Sequence, residues 1–203
     1  MQKKIILATF NKSKLLEFIQ IAKTNNVFIE FEPISPNIGY IPEIGKNYLE
    51  NALIKANMAY KYYRSPVLSD DSGLELINFN NIPGVYSARY AGINATEQEN
   101  RNKLKNFLLD NNLTSTPARY RCFLVYKSML DQYKFFEAIW DGKITINNVE
   151  SEGFGYDPMF IPIGCKKTIT QIDQKYKNTF SHRARALAQF FNYVKEENKC
   201  YQT

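Results

Sequence analysis

The sequence predicts an α/β protein in which helices flank a long mixed β-sheet. The first observation is a short apolar run, Ile5 to Ala8, followed directly by an amphipathic helical pattern. The second is that strand and helix patterns keep alternating through the N-terminal half, and the third is a series of hairpin-like strand runs between 119 and 149. Alternation followed by hairpins is typical of a mixed sheet. The 203 residues suit one domain covering 1–203.

The N-terminal half contains two predicted strands and two predicted helices. The run from Ile5 to Ala8 is typical of a strand buried on both faces. Asn11 is a good N-cap for a helix over 12–24, which places Leu15, Ile19 and Ala22 on one apolar face. The remaining predictions are a strand at 27–31, a proline- and glycine-rich loop at 33–45, and an amphipathic helix at 47–63.

The C-terminal half begins with an acidic segment, Ser69 to Gly73, which reads as a tight turn between two strands. Thr96 to Glu99 has the pattern of a capping box that opens a helix ending near Asp110. The other predicted elements are a loop at 82–92, strands at 119–129, 133–140, 143–149 and 159–161, turns at 131–132 and 141–142, and a final helix capped by Ser181.

Composition narrows the possible partners and compartments. The formal net charge of +6 and the pI of about 9.1 favour polyanionic partners, although the basic residues are scattered rather than clustered. Three distant cysteines indicate reduced thiols in the cytoplasm rather than disulfides or a zinc site. The N-terminal apolar run is too short for a signal peptide, and no stretch is long enough to predict a membrane span.

Asp70 and Asp71 are adjacent carboxylates in an otherwise basic chain. Neighbouring acids repel each other, and binding a hard divalent cation through their oxygen atoms relieves that repulsion. The alternative is an ordinary solvated turn.

Two predicted helices start with basic residues, which is unfavourable beside the positive end of the helix dipole. Lys12 and Lys14 lie in the first turn of the first helix, and His182 and Arg183 open the last. A bound anion, such as a phosphate group, explains both starts. The alternative is that these side chains simply extend into solvent.

The segment from Glu152 to Pro158 contains two glycines that allow close backbone approach, and Phe154 offers a face on which a base can stack. Asp157 can accept a hydrogen bond from a ring N–H. The alternative is a glycine-rich connector with an aromatic plug. The chain has no Walker A loop, no GxGxxG and no kinase signature.

Five ordered motifs together resemble the inosine/xanthosine triphosphate pyrophosphatase family. They are Ala8 to Lys14, Ser69 to Leu74, Pro83 to Tyr90, Gly153 to Pro158 and Ser181 to Arg183. The resemblance implies a two-lobed fold with the active site in the cleft between the lobes, a homodimer, and a Mg²⁺ requirement. It also implies cleavage of ITP, dITP or XTP to the monophosphate and diphosphate.

The resemblance also assigns roles to individual residues. Asp71 is expected to accept the proton of the attacking water, and Asp71, Glu43 and Asp70 are expected to bind the metal. The residues expected to contact the substrate are Thr9, Phe10, Asn11, Lys12, Ser13, Lys14, Ser72, Phe154, Gly155, Tyr156, Asp157, Lys177, His182 and Arg183.

Phe10 and Ser13 depart from the family pattern, which usually has glycine at both positions. We expect the Phe10 ring to point into a buried pocket with a negative φ, because the residue lies between a buried strand and an amphipathic helix.

Two other functions remain open at this stage. One is a pyrophosphatase for pyrimidine or other modified nucleotides. The other is a basic nucleic-acid-binding module, which predicts a contiguous basic stripe and no turnover.

Overall fold

The computed structural model describes residues 3–129, 132–147 and 149–200, with side chains described from Lys4 to Glu197. The strands are β1 Lys3–Leu7, β2 Ile29–Pro33, β3 Val67–Leu76, β4 Ile82–Pro83, β5 Ser115–Met129, β6 Gln132–Thr145 and β7 Phe160–Pro162. The α-helices are α1 Lys12–Thr24, α2 Tyr48–Tyr63, α3 Glu97–Asp110, α4 Gln174–Phe180 and α5 His182–Cys200.

The described strands form one mixed sheet in the order β2-β1-β3-β5-β6-β7, with β4 paired to β3. β1 is parallel to both β2 and β3, whereas β6 and β7 are antiparallel. The predicted α/β class and mixed sheet are therefore confirmed. None of the described helices is long and apolar enough to cross a membrane.

The chain divides into two compact units. Unit 1 consists of the described parts of Met1–Asp71, Cys122–Ala138 and Asn178–Thr203, and unit 2 consists of those of Ser72–Arg121 and Ile139–Lys177. In unit 1, α1 and α5 pack around a core that includes Phe18 and Phe190, and the alanines of α2 belong to a second core. Unit 2 has its own core around Trp140 and Phe160.

The buried face of α1 differs from the predicted one. Ile19 is 42% exposed, whereas Glu17, Phe18, Ile21 and Ala22 are buried. Ala22 is buried as predicted and Leu15 packs against the core, but Phe18 and Ile21 also belong to that core and Glu17 pairs with a buried arginine.

The predicted acidic turn is wrong. Val67 to Leu76 form one continuous strand, in which Ser69, Asp70 and Asp71 are all buried. Turn propensity is overridden here because β3 starts in parallel register with β1, and the polar side chains find partners on neighbouring elements.

The predicted turn at 141–142 is also wrong, since β6 runs unbroken to Thr145. Gly142 pairs with Pro162 of β7, and a Cβ atom at this position would lie 2.7 Å from the Phe160 ring. The glycine therefore allows strands β6 and β7 to approach closely and does not mark a reversal of chain direction. Asn148, in the predicted strand 143–149, and Asp131, in the predicted turn 131–132, lie outside the described residues.

Smaller differences concern the connecting segments. The predicted loop 82–92 contains β4 and a 3₁₀-helix, Gly84–Arg89, and the loop 33–45 contains another, Pro36–Ile38. The capping box at Thr96 and Glu99 and the Ser181 cap are confirmed. Helix α4 was not predicted.

Candidate active site

Asp70 and Asp71 point to opposite faces of the sheet, because successive side chains of a strand alternate. Asp70 contacts Lys14 of α1 and Arg183 of α5, and Asp71 contacts Lys55 of α2. The two carboxylates therefore contact different basic residues, and the binding of one metal by both stays a prediction.

Asp71 lies in a buried polar pocket against α2. Its Oδ1 atom is 2.7 Å from Lys55 Nζ, and its Oδ2 atom accepts a hydrogen bond of 3.2 Å from Asn51 Nδ2. Burial raises the pKa of Asp71 more than the Lys55 ammonium lowers it. A carboxylate with a raised pKa is a stronger base, as proton abstraction from water requires.

Glu43 reaches the same ammonium group. Its Oε1 atom is 2.9 Å from Lys55 Nζ, so the lysine bridges two acids. Burial lowers the pKa of Lys55, but Asp71 and Glu43 outweigh this and the net pKa is raised. Glu43 and Asp71 thus lie on one ammonium group, and their binding of a metal stays a prediction.

Asp70 belongs to a separate buried ion cluster. Lys14 Nζ is 3.0 Å from its Oδ1 atom, and Arg183 Nη2 is 3.3 Å from its Oδ2 atom. Arg183 also pairs with Glu17. Burial opposes ionisation of Asp70, yet Lys14 and Arg183 hold its pKa well below the usual range. Lys14 and Arg183, two of the basic residues at helix starts, are thus paired with carboxylates of the protein itself.

The segment from Thr9 to Lys14 connects β1 to the first turn of α1. Asn11 is the N-cap, and its Oδ1 atom accepts from the Lys14 N–H at 3.1 Å. Lys12 and Ser13 are exposed, and Lys12 forms no ion pair within the described ranges. An exposed helix N-terminus beside an exposed lysine is suited to binding phosphate.

Phe10 is not buried as predicted. Its side chain is 51% exposed, because the chain turns outward between β1 and α1 and leaves the ring in solvent. The expected backbone conformation holds, since Phe10 is not among the residues with positive φ.

Unit 2 brings together three residues predicted to surround the base. Asp157 Oδ2 is 2.6 Å from Lys177 Nζ, and the same ammonium lies 5.8 Å from the centre of the Phe154 ring. Tyr120 donates a hydrogen bond of 3.2 Å to Asp157 Oδ1. Both Asp157 and Lys177 are buried, so their mutual orientation is restrained.

The remaining predicted residues lie in the two units separately. Ser72, half-buried, directly follows Asp71 in β3. Tyr156 is buried and donates to the Ser87 carbonyl at 2.9 Å. His182 is the buried first residue of α5. Contact of these three side chains with substrate stays a prediction.

Sequence reasoning missed Asn51, Lys55 and Tyr120. A signal for the first two was present in α2, where Ala52, Ala56 and Ala59 form the buried stripe. Asn51 and Lys55 lie on that same stripe, and polar residues on the inner face of a helix need a partner in the interior. Tyr120 carried no comparable signal in the sequence.

Comparison with known proteins identifies relatives of this chain. The Ham1 family model matches residues 5–193. A dITP/XTP pyrophosphatase of Malacoplasma penetrans is 50% identical over 199 residues, which cover 96% of this chain and 99% of that protein. The enzyme of the same name from Shewanella oneidensis is 38% identical over 195 residues, covering 95% and 94%.

Solved structures give the same result. A HAM1 protein from Coxiella burnetii superposes with a TM-score of 0.84 at 33% identity, covering 96% of this chain and 99% of that one. The Ham1 protein of Staphylococcus aureus has a TM-score of 0.81 at 32% identity, covering 96% and 100%. The resemblance recognised from the five motifs is confirmed.

Proposed function

Because this chain belongs to the Ham1 family, we propose that it hydrolyses dITP, ITP and XTP to the nucleoside monophosphate and diphosphate. The observation that carries this proposal is the buried Asp71 carboxylate beside Lys55 and Asn51. It supplies a base of raised pKa in a chain that is 50% identical to a dITP/XTP pyrophosphatase.

The triphosphate is bound at the start of α1. Lys12 supplies an exposed positive charge, and the N–H groups of the first helical turn supply hydrogen-bond donors. Lys14 remains paired with Asp70, so its ammonium is held at a defined place beside this turn.

Asp71 accepts the proton of the water that attacks the α-phosphorus. The Asn51 amide fixes one carboxylate oxygen and Lys55 contacts the other. The carboxylate therefore cannot rotate freely, and an oriented base is more effective than a mobile one. Diphosphate leaves with its negative charge facing the basic turn at Lys12.

Glu43 and Asp71 are the residues that would hold Mg²⁺. Their oxygens already face one positive charge, Lys55 Nζ, and carboxylate oxygens are the ligands that Mg²⁺ prefers. In the described ranges no three acidic, histidine or cysteine side chains form a complete metal cluster. This fits Mg²⁺, which is commonly bound by one or two carboxylates together with water and substrate phosphates. Bound Mg²⁺ would neutralise phosphate charge.

Base selectivity has a physical basis in unit 2. Hypoxanthine and xanthine present an O6 acceptor beside an N1–H donor, whereas adenine presents the reverse pattern. Asp157 can accept from N1–H, and Lys177 can donate to O6. Adenine places its N1 acceptor against the Asp157 carboxylate and its 6-amino donor against the Lys177 ammonium, and this mismatch lowers kcat/KM by several powers of ten. Phe154 provides a ring on which the base stacks.

Diphosphate release from a panel of nucleoside triphosphates tests the proposal. Turnover of dITP, ITP and XTP should exceed that of dATP, dCTP and dUTP, should stop with EDTA and should return with Mg²⁺. A preference for dUTP or another pyrimidine would identify a different pyrophosphatase. Absence of turnover together with salt-sensitive DNA binding would favour the nucleic-acid-binding alternative.

Two further parts of the proposal concern assembly and location. We place the enzyme in the cytoplasm, because that compartment contains nucleoside triphosphates and keeps the cysteines reduced. We also propose a homodimer, supported by exposed apolar residues on the segment from Ile82 to Ile93.

A further inference from the structure

Helix α3 holds the segment that carries Phe154 and Asp157. Arg101 is 5% exposed and lies within the first two turns of this helix. Its Nε atom donates to the Val149 carbonyl at 3.0 Å, and its Nη1 atom donates to the Gly155 carbonyl at 2.8 Å and the Gly153 carbonyl at 3.3 Å. One guanidinium thus contacts three main-chain carbonyls of a single segment.

Glu97 contacts the same segment from one helical turn earlier. Residues four apart lie on one face of a helix, so Glu97 and Arg101 approach the segment together. The Gly155 N–H donates to Glu97 Oε2 at 2.9 Å, while the Gly155 carbonyl accepts from Arg101. Both polar groups of this glycine are therefore bound to α3, and its φ of +54° lies in the left-handed region.

Arg101 makes no ion pair within the described ranges of the chain. Its Nη2 atom donates a hydrogen bond of 2.6 Å to Gln98 Oε1. A buried arginine is usually matched by a carboxylate. Here the guanidinium group donates hydrogen bonds to main-chain carbonyls. A lysine cannot reproduce this set of hydrogen bonds, because the guanidinium group has several donors in fixed directions, whereas the ammonium group is a point charge.

We propose that Arg101 and Glu97 are positioning residues that set the affinity for the base by fixing the main chain at Gly155. This inference rests on the proposed function, because it assigns base recognition to the neighbouring Phe154 and Asp157. In this proposal neither Arg101 nor Glu97 contacts the base. They act by holding the peptide groups from which the recognising side chains project.

The test compares Arg101→Lys with the parent enzyme in two measurements. The KM for dITP should rise about tenfold, equivalent to about 1.4 kcal/mol, while kcat stays within about twofold, because base binding contributes equally to ground and transition states. Inhibition by inorganic tripolyphosphate should not change, since it lacks a base. Hydrogen exchange of residues 149–157 without nucleotide should accelerate.

Matched variants separate positioning from general destabilisation. Arg119→Lys changes another arginine of unit 2, one paired with Glu75, and should leave the KM unchanged. Glu97→Gln keeps an oxygen acceptor for the Gly155 N–H and should behave like the parent, whereas Glu97→Ala should raise the KM. If Arg101→Lys does not fold, the same measurements on the two Glu97 variants provide the test, because Glu97 is exposed.

The outcomes distinguish this inference from the proposed function. Faster exchange with an unchanged KM, or unchanged exchange in Arg101→Lys, would overturn the positioning role while leaving the pyrophosphatase intact. If the parent binds dITP without hydrolysing it, the proposed reaction is wrong. The positioning role is then tested by comparing the Kd of dITP between the parent and the same variants. If the parent does not bind dITP, both are wrong.

Discussion

Asp70 and Asp71 have opposite electrostatic environments although they are adjacent in the chain. Two basic side chains, Lys14 and Arg183, keep Asp70 ionised, while burial raises the pKa of Asp71 beside Lys55. Strand alternation is the cause, since it turns one carboxylate toward α1 and α5 and the other toward α2. Asp70 pairs with basic residues of unit 1, and Asp71 is the residue that we propose as the base.

The substitution Asp71→Asn should abolish turnover with little change in fold. The amide has nearly the same volume and its oxygen can still accept from Lys55, but it cannot take a proton from water. We expect a loss of at least about 100-fold in kcat, the usual cost of removing a positioned base. Steady-state diphosphate release is the measurement, with the exposed Asp110→Asn as control. Near-normal activity in the folded variant would exclude Asp71 as the base.

The substitution Phe10→Gly should have a small effect on stability. With the ring 51% exposed, the removed side chain leaves no core cavity. The expected loss is below about 1 kcal/mol, from the greater freedom of glycine in the unfolded chain. Thermal unfolding measures it against Phe18→Ala, which empties a fully buried site and should lose about 3–5 kcal/mol. A loss of that size at position 10 would show that the ring is buried in solution.

Helix α2 and strand β3 show how an element combines packing with chemistry. The small Ala52 and Ala56 side chains let α2 pack closely in its core, while Asn51 and Lys55 on the same stripe reach Asp71. The helix is thereby aligned by its apolar contacts, and the polar pair is positioned without a flexible loop. Rigid elements hold catalytic geometry better than loops do.

The pairing of β6 and β7 gives a prediction at the scale of an element. Gly142→Ala places a methyl group 2.7 Å from the Phe160 ring, which belongs to the core of unit 2. Strand β7 must shift, so we expect the free energy of unfolding to fall by about 1–3 kcal/mol, as for other overpacked sites. Denaturant unfolding is the measurement.

Asp141→Ala, at the preceding exposed position of β6, is the control and should change stability by less than about 0.5 kcal/mol. Equal stability of Gly142→Ala and the parent would contradict the close packing.

At the scale of the whole molecule, the segment from Ile82 to Ile93 presents an apolar surface. A shallow depression of about 430 Å³ is lined by Ile82, Pro83, Tyr86, Arg89, Tyr90, Gly92 and Ile93. Two of these residues are well exposed, Ile93 at 89% and Tyr86 at 59%. Aromatic residues and arginine are enriched at protein interfaces, so this surface is suited to a second copy of the chain.

Light scattering at micromolar concentration should therefore give the mass of a dimer. Ile93→Lys should convert the dimer to a monomer, because it places a charge in the apolar contact. Ile163→Lys changes an isoleucine that is 71% exposed elsewhere in unit 2 and should remain dimeric. A monomeric parent protein would refute the homodimer.

The sequence alone predicted the α/β class, the mixed sheet, the principal helices and the family. These features follow from local information. Hydrophobic periodicity identified α1 and α2, the capping residues Asn11 and Thr96 marked helix starts, and five motifs in order identified the Ham1 relatives. Glu43 was named only through the family resemblance, and its contact with Lys55 was not predicted.

Only the tertiary structure decided which side chains meet. Asp70 and Asp71 looked like one turn and one metal site, but they are separated by strand alternation once β3 pairs with β1. Gly142 looked like a turn until β7 was placed beside it. Lys55 gained its role from Asp71, 16 positions away, and Arg101 from Gly155, 54 positions away. Contacts between residues distant in the chain depend on how whole helices and strands pack, and local secondary-structure propensity does not specify that packing.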